Sequence, residues 1–155
     1  MKKIVFIVAI LATAFVQKGF AQDNKQLSQL LNSYYDIKNA LVSGNAATAS
    51  LKAKEFIKAT NSIDYKIISE GNINALLKDA TPISESKDIK EQRLHFANLS
   101  DNMYTIAKAV KLTDQPVYYD YCPMKKSYWL SNDKAIKNPY YGSMMLTCGS
   151  VKETL

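Results

Sequence analysis

Cys122 and Cys148, the two cysteines of the chain, lie in one stretch from Tyr118 to Gly149, together with Met124, Met144, Met145 and the only tryptophan, Trp129. Cys122 stands two residues before Met124, and Met145 stands three residues before Cys148. If the ends of this stretch meet, two thiols and two or three thioethers come within reach of one another. Soft sulfur donors of this kind suit Cu(I), and to a lesser degree Zn(II). The thiols must be deprotonated to bind, so binding should weaken as pH falls. Of the adjacent pair Met144 and Met145, the three-residue offset from Cys148 favours Met145 if the segment is a turn of helix. The alternative for the same cysteines is a structural disulfide, which would restrict the unfolded chain by roughly 3–4 kcal/mol on the chain-entropy model. Spacing does not separate the two.

His95, the only histidine, is the remaining candidate ligand. It falls one residue off the buried stripe of a helix, with Leu99 one turn on. A lone histidine there is more often solvated or hydrogen-bonded, and it becomes a ligand only if the Cys/Met segment folds back over that face. Met103 lies within an apolar helical stripe, where methionine is usually core filler. Tyr118, Tyr119, Tyr121, Tyr140 and Tyr141 are amphipathic rings fit to cover a bundle end, and the same rings would shield a Cu(I) site from water and oxidants. Enzymatic constellations are missing: no nucleophile with a patterned histidine, no glycine-rich phosphate loop and no paired-histidine zinc motif. The expectation is a protein that is not an enzyme.

The elements that must position these sulfurs follow from the rest of the chain. Lys2-Lys3, the apolar run Ile4 to Val16 and the small residues of Gly19-Phe20-Ala21 predict a cleaved signal peptide over residues 1–21 and an exported, periplasmic protein. The apolar run is short for a membrane span, which needs about 20 residues, so no membrane insertion is expected after cleavage. Loss of Lys2, Lys3 and Lys18 lowers the net charge from +6 to +3, a mild excess spread along helices that implies no nucleic-acid partner. Residues 22–155 are enough for one domain with one core.

Leu27, Leu30, Leu31, Tyr34, Ile37 and Leu41 recur at three and four, predicting an amphipathic helix from Asn24 to Val42 that Gly44 ends. Asn45 caps a second helix, Ala46 to Thr60, with a face of Ala49, Ala53, Phe56 and Ile57. A third run spans Asp64 to Ala80, interrupted at Gly71 and stopped by Thr81-Pro82. The fourth is capped by Ser86, carries Asp88 at the positive end of its dipole, and buries Ile89, Phe96, Leu99, Met103, Ile106 and Val110. Past Thr113 a short extended piece and turns at Asn138-Pro139 and Gly142 are expected. The predicted fold is mainly α: a small antiparallel bundle of about four helices, with an irregular Cys/Met-rich segment, residues 116–155, packed on it.

Tyr34 to Leu41, Gln92-Arg93-Leu94-His95-Phe96, Leu99-Ser100, Tyr121-Cys122-Pro123-Met124, Trp129-Leu130-Ser131, Asn138-Pro139-Tyr140-Tyr141-Gly142 and Met145-Leu146-Thr147-Cys148-Gly149 together resemble the exported bacterial domain of unknown function 3347. That family occurs as small stand-alone proteins and as an appended C-terminal domain on adaptor subunits of heavy-metal efflux pumps. The resemblance implies a periplasmic helical domain associated with copper or related metal handling, with a component of a heavy-metal efflux system as partner. His95, Cys122, Met124, Met145 and Cys148 match the family's pattern positions. Many relatives carry a glycine-alanine pair before the tryptophan, where this chain has Lys125-Lys126-Ser127-Tyr128. The reading is a soft-metal protein holding Cu(I); the alternative is an envelope interaction module stabilised by a Cys122–Cys148 disulfide.

Overall fold

A computed structural model describes residues 23–155; the predicted signal peptide lies outside the described residues. Within them the chain forms four helices followed by a small antiparallel sheet. Helix α1 occupies residues 23–42, α2 Ala46–Asn61, α3 Glu70–Glu85 and α4 Ile89–Ala109. The mainly helical bundle is as the periodicity predicts. Among the described residues no helix is long and apolar enough to cross a membrane.

The stripe of α1 is buried as expected, but so are Tyr35, Ala40 and Lys38. The helix is buried on more than one side because α4 and the sheet both pack on it: the Tyr34 ring stacks on Phe96 at 5.1 Å, and Lys38 Nζ donates to Ser131 Oγ at 3.1 Å. Gly44 takes a left-handed φ of 72°, which a residue without Cβ adopts at no steric cost. Asn45 then accepts the Thr48 amide at 2.9 Å to start α2. Ala49 and Ala53 are fully buried, and their small side chains let α3 approach.

Helix α3 departs from expectation at both ends. It begins at Glu70, capped by Ser69, so Gly71 sits in its first turn rather than breaking it. It also runs through Pro82 to Glu85. Proline in a helix removes one amide donor and crowds a carbonyl one turn back; here it stands in the last turn, where the Thr81 hydroxyl donates to Leu77 O at 2.8 Å and the Ser84 hydroxyl to Thr81 O at 2.8 Å. Ile83, buried at 0 % exposure, ties that turn to the core. At the start of α4 the cap is Asp88, which accepts the Lys90 amide at 2.8 Å, while Ser86 Oγ accepts the Asp88 amide at 3.0 Å. Asp88 rather than Ser86 is thus the cap, and it keeps its expected place at the positive end of the helix dipole.

The segment read as irregular is ordered into strands for much of its length. β1 Tyr118–Cys122 lies at the centre of the sheet, between β2 Ser127–Ser131 and β3 Ser150–Thr154. Tyr119 faces Leu130 and Asp120 faces Trp129 across the β1–β2 pair, and Tyr121 faces Ser150 across the β1–β3 pair. Val117 and Leu155 extend the second pairing by exchanging backbone hydrogen bonds of 3.2 and 2.9 Å. Both faces of the sheet are covered. Tyr119 stacks on Tyr104 of α4 at 3.8 Å, while on the other face Trp129 meets Tyr140 of the loop after β2 at 5.9 Å. A strand covered on both faces shows no apolar-polar alternation, which is why the tyrosine-bearing strands β1 and β2 escape a reading by period, whereas the edge strand β3 leaves Ser150, Lys152 and Thr154 exposed.

Candidate metal centre

The sheet brings the cysteines together. Cys122 is the last residue of β1 and is fully buried, and Cys148, half-buried, stands two residues before β3. Because Tyr121 is in register with Ser150, the two thiols come from neighbouring strand ends. Their sulfurs stand 3.8 Å apart, and both cysteines are free.

Three local features hold this arrangement. The first is Gly149, whose φ is 153°. A Cβ there would sit 2.8 Å from the Trp129 ring and 3.0 Å from the Tyr121 carbonyl, so only glycine lets the chain run flush from Cys148 into β3. The second is Asn138, buried at 0 % exposure. Its Nδ2 donates to the Cys148 carbonyl at 2.7 Å, its Oδ1 accepts the amides of Tyr140 and Tyr141 at 2.8 and 3.3 Å, and its own amide donates to Leu146 O at 2.8 Å. One side chain therefore clamps the loop that carries Cys148.

The third is the tight turn after Cys122, closed by the Lys126 amide on the Cys122 carbonyl at 2.8 Å with Lys126 at a φ of 55°. In this turn the Lys125 amide donates to Cys122 Sγ at 3.4 Å. Burial, together with the adjacent Cys122, pushes the Cys148 thiol up, and the Met124 amide acts in the opposite direction. A cation between the sulfurs would offset the charge of the thiolates. Two sulfurs so placed can bind a thiophilic ion or close to a disulfide.

The five predicted site residues do not all converge. Cys122 and Cys148 meet. Met124 lies on the turn after Cys122, but its side chain is 63 % exposed. Met145 is half-buried beside Cys148, whose amide donates to the Met145 carbonyl at 3.0 Å, whereas Met144 is 74 % exposed. His95 is half-buried on the side of α4 that meets α3, in the neighbourhood of Asp79. Among the described residues no three His, Cys, Asp or Glu side chains are grouped to hold a metal ion, so His95 does not join the thiols.

Behind the thiols lies a polar pair that sequence reasoning missed. Asp120 and Lys38 are 0 % and 1 % exposed. Burial pushes the Asp120 carboxyl up to about 6, the nearby Lys38 opposing it, and burial lowers the Lys38 ammonium to about 8, with Asp120 opposing. Neither Asp120 oxygen has a hydrogen-bond partner, nor does Trp129 Nε1. The available signals were faint: a lysine between Ile37 and Leu41 on an apolar helix, and an aspartate among tyrosines on a strand.

No curated protein and no solved structure matches the sequence. A family described as "Protein of unknown function (DUF3347)" matches residues 30–115. Those residues hold most of the four-helix bundle and include His95, but end before β1 and both cysteines. The match covers more than half of the chain, and the protein therefore belongs to this family.

Proposed function

We propose that the protein is a non-enzymatic, exported binder of a soft metal ion, with Cys122 and Cys148 as its thiolate ligands and Cu(I) or Zn(II) as the ions of suitable softness. The observation that carries the reading is the unbonded contact between the two sulfurs, 3.8 Å apart. Two sulfurs bound at about 2.3 Å to one tetrahedral ion are separated by about 3.8 Å, so the pair needs no rearrangement to accept it. The donors are soft, and Met145 stands close enough in the chain to add a thioether for Cu(I). The role is to hold or buffer the ion in the periplasm for a heavy-metal efflux system, which the family resemblance suggests as partner.

The test is a metal titration of the reduced protein. Tight Cu(I) uptake that falls at least tenfold in Cys122→Ser is expected, with weaker binding at lower pH because the thiols must release their protons. The same contact favours a second reading, in which the thiols close to a disulfide and the domain is an interaction module. That reading expects no metal uptake by the reduced chain and a melting temperature that drops on reduction.

A further inference from the structure

The dithiol supplies only half of a tetrahedral shell. Cys122 and Cys148 set one edge of 3.8 Å, no third His, Cys, Asp or Glu among the described residues is grouped with them, and the Met124 side chain is 63 % exposed. Cys122 is buried and Cys148 half-exposed, so an ion seated on this edge presents its remaining coordination positions outward. Exposed apolar side chains stand on both segments that carry the thiols: Met124 lies on the turn that follows Cys122, and Met144 and Leu146, 74 % and 40 % exposed, lie on the segment that leads to Cys148.

Resting on the metal-binding reading, we propose that a second copy of this chain completes the shell, so that two copies share one ion through Cys122 and Cys148 of each. Opposite edges of a tetrahedron are equal in length and related by a twofold axis, so an identical chain brings the missing edge without any new geometry. Self-complementary contacts about a twofold are the commonest way soluble chains associate. The Met124, Met144 and Leu146 patch then meets its own counterpart.

Charge agrees with this arrangement. Four thiols release four protons to solvent as a divalent ion binds, leaving the tetrathiolate centre with two net negative charges. Lys125 and Lys126, which follow Cys122 within its turn, bring two positive charges from each copy to offset them.

The experiment adds Zn(II) to the reduced wild-type protein and follows mass by sedimentation and the zinc environment by X-ray absorption. Expected is a doubling of mass that is complete at half an equivalent of zinc, with four sulfur neighbours at about 2.3 Å. One zinc per chain on a monomer, with two sulfurs and lighter atoms, overturns the shared site and leaves the metal-binding reading standing. No uptake at all overturns both. Leu146→Asp, which keeps both thiols, should weaken zinc-dependent association at least tenfold while its circular dichroism stays native. Undiminished association in that variant overturns the placement of the apolar patch at the interface.

Discussion

At the scale of single residues, the side chains that shape the site are not its ligands. The Asn138 side chain makes three hydrogen bonds around the loop that carries Cys148. Asn138→Ala leaves buried amides and a carbonyl without partners, so it should lower stability by about 2–3 kcal/mol and weaken metal uptake; a urea melt that matches wild type would count against the clamp. Lys38 gives a pH signature. Burial lowers its ammonium from an ordinary 10.5 to about 8, with Lys137 acting in the same direction and Asp120 and Asp133 opposing. Between those values the unfolded chain binds the proton that the folded chain has lost, so this group adds stability as pH rises through the window. Below that window the charged ammonium is buried at a cost, which only a chain that keeps Lys38 bears. Lys38→Met should therefore show less gain in stability than wild type between pH 8 and 10, a difference that cancels the buried tyrosines common to both. Equal slopes in urea melts would refute it.

At the scale of elements, the decisive joint is the one between β1 and β3. Gly149 has no room for a Cβ beside Trp129 and holds a φ of 153°. Gly149→Ala should cost about 1–3 kcal/mol and push β3 away from β1, separating the sulfurs; metal affinity should fall further than stability does. An alanine variant with wild-type affinity would show that the joint tolerates the methyl group. The helical elements were readable because each carries an apolar stripe at the helical period, from Leu27 to Leu41 and from Ile89 to Ile106, even though α1 is buried on more than that stripe. The ends of α3 were not, since Gly71 and Pro82 are helix breakers by propensity that capping by Ser69 and burial of Ile83 overrule. Of the strands only the start of β1 was expected, as a short extended piece after Thr113; β2 was missed because burial on both faces erases the period of two, and β3, alternately exposed and half-buried, is only five residues long.

At the scale of the whole molecule, bundle and sheet form one body through Tyr34. Its hydroxyl accepts the Leu130 amide of β2 at 3.0 Å and pairs with Ser100 of α4 at 2.7 Å. Since the Ser100 hydroxyl donates to Phe96 O at 2.8 Å, the Tyr34 hydroxyl is left to donate to Ser100. Tyr34→Phe orphans a buried strand amide and should cost about 1–3 kcal/mol, read as a lower melting temperature in a single transition. Two separate transitions would mean that sheet and bundle are not one cooperative unit. By itself the sequence determined the four-helix bundle, the concentration of sulfur donors in one stretch and the candidate pairing of Cys122 with Cys148, because periodicity and residue type are local properties of the chain. Only the tertiary structure decided that the thiols touch, that His95 faces α3 instead, that Met124 points outward, and that Lys38 and Asp120 are buried together. Those outcomes depend on strand register and on which helix covers which face, and both are set by contacts between residues far apart in the chain.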